Sequence, residues 1–370
     1  EVINQGLISA RLGTVALAAG DKVSLDLKGD GLLSFNIDRA ALAALAENRG
    51  LIQANGGQVI LGARSAGDLM ATVVNNTGVI EANTMIERNG VIVLDGGSQG
   101  IVKNQGSLIA TGIDSGQTGG TVKVLGDKVG VMASAVIDAS GTSGGGEILI
   151  GGNYQGKGIE SNASVTYVDQ DSSIKANALN SGSGGRVIVW ANDATRFYGS
   201  IEAKGGVNGG DGGFVETSGK HYLDFRGSVN ALAPMGKAGT LLLDPENVTI
   251  NATGSTFNIN STGTPFSPTG DDAVLLVSNL EAQLGLSNTV VNSGSSGSQT
   301  GTITVAAASP ITWSSGNSLT LAADGSVSIY SPITSTGAAG VNGGSFTVTA
   351  GNTVLIDANI ITTGGTGNNT

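Results

Sequence analysis

The chain has 370 residues, of which 61 are Gly, 13% are charged and 4% are aromatic, with a formal charge of −11 and no cysteine. The lack of cysteine excludes disulfide frameworks, thiolate metal sites and thiol catalysis, and 18 basic residues scattered singly along an acidic chain argue against binding to nucleic-acid phosphates or anionic lipid. No stretch approaches the roughly 20 apolar residues that span a bilayer, and the Val, Ile, Leu and Thr recurring in short runs throughout exclude a disordered chain.

In chain order, the N-terminus EVINQGLISA does not read as a signal peptide, which places any export signal upstream of Glu1. A repeat then sets in. One half-unit reads Gly, apolar, Ile, any residue, Ala: GLISA from Gly6, GLIQA from Gly50, GVIEA from Gly78, AVIDA from Ala135, SSIKA from Ser172, GSIEA from Gly199 and GSVNA from Gly227. The anchors fall at Ile8, Ile52, Ile80, Ile109, Ile137, Ile174, Ile201 and Val229, with several steps of 27 to 29 residues. The second half-unit alternates strictly after a Gly-rich turn, as in GGQVIL from Gly56, GGTVKVLG from Gly119, GGEILIGG from Gly145 and GGRVIVW from Gly184. Alternation at period 2 places one set of side chains inward on a half-buried strand, and the Gly pairs offer positive φ at tight corners.

Such a unit cannot bury its own apolar face, whereas stacked units lay Ile on Ile and Ala on Ala. The fold class is therefore all-β: a right-handed parallel β-helix, or solenoid, with short helical insertions. Residues 1–250 read as a Gly-rich β-helix. Its helical inserts are expected near 37–49, where IDRAALAALAENRG has Ala and Leu at helical spacing, and near 63–75. The first insert accounts for the 44-residue step from Ile8 to Ile52. Residues 251–300 read as a Ser/Thr-rich insertion with a short helix near 272–284, and 301–370 as a Thr-rich continuation of the β-helix. One coil per unit gives some 13 to 15 coils, a rod on the order of 60 to 70 Å long.

The segments NQGLISARLGTVALAAGDKVSLDL (Asn4–Leu27), GSIEAKGGVNGGDGGFVETSG (Gly199–Gly219) and GKAGTLLLDPENVTI (Gly236–Ile250), with the SPITW and SLTLAADGSVSIYSPIT pair, resemble the filamentous haemagglutinin-like exoproteins of two-partner secretion and their biofilm-matrix adhesin relatives. Together with the intervening units these cover most of the chain. The resemblance implies export through an outer-membrane secretion partner of a Gram-negative bacterium. It also implies a secreted, cell-surface-associated fibre, and adhesion to cells or to matrix polysaccharide. The family's Asn-Pro-rich secretion signature and a C-terminal anchoring region are absent from these residues, so the chain reads as an interior or truncated fragment.

Candidate sites are weighed within that frame. Six aromatic residues gather between positions 190 and 225: Trp190, Phe197, Tyr198, Phe214, Tyr222 and Phe225. Filling a bulge of the core is their ordinary role. Should the fragment carry a glycan site, Trp190, Tyr198 and Tyr222 are its first candidates. His221 with Asp224 lacks a nucleophile and an orienting partner and reads as a turn histidine. Glu81, Asp138, Glu202 and Glu216 are outward carboxylates whose regular placement reads as a solvated face; opposed on adjacent coils beside a groove, they would instead favour a polysaccharide-cleaving β-helix enzyme. GGVNGGDGG (Gly205–Gly213) and VDQDSS (Val168–Ser173) are unrepeated and read as turns rather than calcium loops. The expectation is thus an adhesin rod and not an enzyme, with a passive spacer stalk as the alternative and no cofactor or metal. Its partner would be an exopolysaccharide or cell-surface glycan, and the rod a monomer with some end-to-end association through unpaired strand edges.

Overall fold

In a computed structural model the structure describes residues 1–27, 33–41, 43–64, 72–85, 88–132, 134–244, 247–253, 272–294, 300–337 and 342–363. Each of the first eight coils contributes one strand to each of three parallel sheets. Sheet 1 has eight strands from Val2–Asn4 to Tyr222–Phe225, sheet 2 eight from Leu7–Ser9 to Ser228–Asn230, and sheet 3 eleven from Thr14–Ala19 to Phe346–Ala350. This is the parallel β-helix, right-handed as strand-to-strand parallel crossovers require. Among the described residues the eleven strands of sheet 3 stack over about 48 Å, and on the sheet 1 face five further strands follow the eight, which makes thirteen.

Identical positions stack in register. Ile8, Ile52, Ile80, Leu108, Ile137, Ile174, Ile201 and Val229 form one column through sheet 2. Leu108, not Ile109, therefore holds the inward position in its coil. A companion column of Ala54, Ala82, Ala110, Ala139, Ala176, Ala203 and Ala231 is buried throughout. The corner between sheets 2 and 3 is a column of glycines. The residue after each glycine donates its amide to the glycine carbonyl one rung back, as in Glu147 N to Gly120 O (3.0 Å) and Arg186 N to Gly146 O (2.9 Å). A Cβ on Gly146 would sit 2.0 Å from Gly120 O, and one on Gly185 2.1 Å from Gly146 O. These corner glycines have no positive φ; close backbone approach, not conformational freedom, is what demands them.

The inward position at the end of each sheet 1 strand changes chemistry along the rod. Asn4, Asn48, Asn76 and Asn104 form a buried ladder, each Nδ2 donating to the next Oδ1 at 2.8 Å. The column continues as Val131 and Val168 and ends in the stacked rings of Phe197 and Phe225, 5.6 Å apart. The polar rungs are satisfied within the column, so both halves suit the same interior.

Among the described residues no helix forms over 37–49. Lys22–Leu27 and Leu33–Arg39 make an antiparallel hairpin, the true cause of the long step, with the Phe35 ring lying over Gly62. Ala46–Asn48 is a sheet 1 strand. Local Ala/Leu propensity yields here because a helix would break the ladder at Asn48. Of the helix expected over 63–75, Ala63 closes one strand and Thr72–Asn76 is another; 65–71 lie outside the described residues.

The helix expected near 272–284 is half strand: Asp272–Leu276 pairs in parallel, and α1 spans only Val277–Leu284. The strand order reverses here. Asp272–Leu276 packs against Tyr222–Phe225, while the earlier Asn247–Asn251 lies a rung further on, between it and Ile303–Val305. Helix α1 takes a strand's place between Ser228–Asn230 and Ile311–Trp313 and answers both open edges. Gln283 Oε1 accepts from Val229 N (2.8 Å), its Nε2 donates to Val229 O, and Glu281 Oε1 accepts from Thr312 N (2.7 Å). The coils resume beyond it. At the far end of the stack Val354, Leu355, Ile356 and Ile361 are exposed.

Asn76→Ala removes a donor and an acceptor from the buried ladder and is expected to cost about 2–3 kcal/mol, read from the urea midpoint. Gln283→Met keeps the volume but orphans the buried backbone groups of Val229; about 2–4 kcal/mol should be lost in the same measurement, and an unchanged midpoint would show that α1 does not act as an edge cap.

Candidate functional site

The sequence-selected aromatics divide between two faces, and two of the three glycan candidates are not presented to solvent. On the outer face of sheet 1, Tyr222 is 2% exposed and its phenol is pushed up to about 12 by burial and by the nearby Asp224. Tyr198 is half-buried. Its hydroxyl donates to Asp224 Oδ2 (2.8 Å), Arg226 Nε pairs with Asp224 Oδ1 (2.9 Å), and Tyr167 meets its ring edge-on at 5.7 Å. Phe197 and Phe225 point inward, as core filling requires.

Trp190 is on the outer face of sheet 3 and only 5% exposed. A strap over 151–164 lies across it. Gly156 rests on the indole, where a Cβ would come within 2.7 Å of Cζ2, and the Trp190 Nε1 donates to Asn192 Oδ1 at 3.3 Å. Leu149, Ile188 and part of Phe214 complete this small outer core. The strap is clasped at Glu160, which accepts from Lys123 Nζ (2.7 Å) and Asn153 Nδ2 (3.2 Å). The lysine hydrogen bond holds the Glu160 carboxyl below its usual range.

The same strap seals Glu216, which is fully buried and not part of a solvated face. Its oxygens accept from Gln155 N at 3.1 and 3.2 Å. On the next coil, Asp244 accepts from Gln155 Nε2 (3.1 Å) and Asn292 Nδ2 (2.7 Å), and its amide donates to Ser218 Oγ (3.1 Å). Burial raises both carboxyls, Glu216 to about 8. Gln155, Asp244 and Asn292 were not singled out from sequence; the only local signal is the crowding of glycines at 151, 152, 156 and 158. Glu81, Asp138 and Glu202 do lie on the outer face of sheet 2, held by Gln53, the Ser140 amide and Asn177 with Lys204. Asp169 serves its own turn, accepting from Asp171 N and Tyr167 Oη, and Asp211 Oδ1 accepts from Lys237 N.

An open trough of about 740 Å³ follows the corner between sheets 2 and 3 across five rungs, from Thr118–Thr121 to Lys237–Thr240. Its floor is the column of paired glycines. One wall carries Glu147, Arg186 and Phe214 from sheet 3; the other carries Thr118, Asp211 and Lys237 from the turns. Arg186 is fixed by Glu147 Oε1 (2.6 Å) and Asn153 Oδ1 (2.9 Å), and Phe214 is backed edge-on by Tyr154 at 5.7 Å. Among the described residues no helix is long and apolar enough to cross a membrane.

No family model matches this sequence, and no curated protein matches it. Among solved structures the chain is similar to the HMW1 secretion domain from Haemophilus influenzae, with 30% identity and a TM-score of 0.51 over 64% of this chain and 60% of that one. The match thus spans less than two thirds of that domain's length.

Raising a carboxyl in the folded state makes the native chain bind more protons than the unfolded chain between the two pKa values, so stability falls as pH rises through that window. For Glu216 the window runs from 4.5 to about 8, and the full penalty is on the order of a few kcal/mol above it. Glu216→Gln retains an acceptor for the Gln155 amide and removes the ionisation. Thermal melts should show the variant several degrees more stable at pH 9 and nearly unchanged at pH 5; equal curves at pH 9 would mean that Glu216 is not sealed.

Proposed function

We propose that this chain is a rod segment of a two-partner-secretion exoprotein, exported through an outer-membrane partner, and that it acts outside the cell as an adhesive surface for polysaccharide rather than as an enzyme. The export part rests on the 30% identity to a solved secretion domain together with the shared stacking of parallel coils. The adhesive part rests on one observation above the others: a trough open to solvent over five rungs, on a stack whose register leaves its walls little freedom. The non-enzymatic reading is supported by the position of Glu216 and Asp244, which lie on adjacent coils but under the strap and not in the trough.

The passive-stalk alternative differs in having no ligand. The purified chain is therefore applied to immobilised bacterial and host polysaccharides, with released sugar assayed in the same wells. Retention without sugar release is the expected result. No retention would leave the stalk, and sugar release would overturn the non-enzymatic reading. Export is checked by coexpression with an outer-membrane partner: the chain, fused behind an export signal, should reach the medium only when the partner is present.

A further inference from the structure

The trough has a polarity that selects its occupant. At each of four successive rungs the first glycine of the floor pair donates its amide within the fold: Gly119 to Gly144 O, Gly145 to Ser183 O, Gly184 to Asp211 O and Gly212 to Lys237 O. The second glycine of each pair is saturated at both groups, as Gly146 is through Ala139 O and Arg186 N. The carbonyls of Gly119, Gly145, Gly184 and Gly212 receive no hydrogen bond among the described residues. A carbonyl left without a donor costs free energy unless water or a ligand reaches it, and of these four residues Gly145, Gly184 and Gly212 are partly exposed where they line the open trough, while Gly119 is buried at its end. The floor is therefore a row of acceptors, about 4.8 Å apart, with no amide donor offered in return.

A peptide strand added to an edge needs donors and acceptors in alternation, which this floor does not supply. A polyamine would satisfy the acceptors, but on the walls Arg186 and Lys237 offset Glu147 and Asp211 and leave no net negative charge to hold it. A linear sugar chain fits both conditions. Its hydroxyls are donors, its rise per unit in an extended chain is close to the rung spacing, and its apolar ring faces suit the half-buried Phe214 ring backed by Tyr154. We propose that the trough binds an extended, hydroxyl-rich polysaccharide laid parallel to the rod axis, its hydroxyls donating to the carbonyls of Gly145, Gly184 and Gly212 and one sugar face resting on Phe214. This deepens the adhesive reading and rests on it.

The test uses the whole chain on immobilised linear β-glucan and polyuronate, with polylysine and gelatin as the competing chemistries. Thr118→Trp and Lys237→Trp fill the trough from its turn-side wall without touching the glycine corners, and Lys175→Trp places the same bulk on the outer face of sheet 2; circular dichroism establishes that each variant is folded. The expected result is retention of the parent and of Lys175→Trp on at least one of the two sugars, with at least tenfold weaker retention of both trough variants. Equal retention of parent and trough variants would overturn the trough while leaving adhesion in place. Failure of the parent to bind either sugar overturns this ligand assignment, and the adhesive reading falls with it only if the wider polysaccharide panel is also blank. Capture by polylysine or gelatin that the trough variants abolish would replace the sugar with a polyamine or a peptide.

Discussion

The structure depends on the close approach of successive coils at the glycine corner between sheets 2 and 3. Each corner carbonyl accepts an amide from the next rung at about 3 Å, and there is no room between the two backbones for a Cβ. That contact fixes the rung spacing and forbids slippage. A shift by one residue would turn every inward side chain outward. The columns of Ile, Ala and Asn follow from it, since like residues at one position can only stack if every coil is in register.

Because register is enforced by backbone contact, the interior may change character without changing geometry. The sheet 1 column passes from Asn to Val to Phe over eight coils. It does so by meeting each side chain's own demand: amide to amide where it is polar, ring on ring where it is aromatic. Helix α1 shows the same tolerance at larger scale. It replaces a whole strand, and the rod continues because Gln283 and Glu281 supply the hydrogen bonds that the missing backbone would have made.

What distinguishes one flank from another is the set of segments laid over the coils. The hairpin reaches Gly62 through Phe35, and the 151–164 strap roofs Trp190 and Glu216 one and two coils away. The strap removes an acid pair from solvent and, by anchoring Arg186 and backing Phe214, shapes one wall of the trough. The surface on which the proposed attachment depends is thus a joint product of the coils and of an insertion with no repeat of its own.

The repeat was legible because it is written locally. GLIQA, GVIEA and GSIEA each state an inward Ile and Ala, and GGQVIL and GGRVIVW each state an alternating strand, so the solenoid, its glycine corners and most of its strands could be read directly. The pattern does not separate Leu108 from Ile109, because two adjacent apolar residues fit it equally and only Leu108 is buried. Over 37–49 the Ala and Leu spacing is a helical signal of short range, overruled by the place of Asn48 in a column formed with residues 28 and 44 positions away. The candidate site was far less legible. Trp190, Tyr222 and Glu216 all alternate outward, as the sequence says, yet all are covered. Which outward residues face water is decided by where Gln155 and Gly156 come to rest, on Glu216, Asp244 and Trp190, and no period in the sequence connects those positions. Side-chain alternation is a property of a strand, so sequence alone determined it; coverage is a property of contacts between distant coils, so only the tertiary structure could decide it.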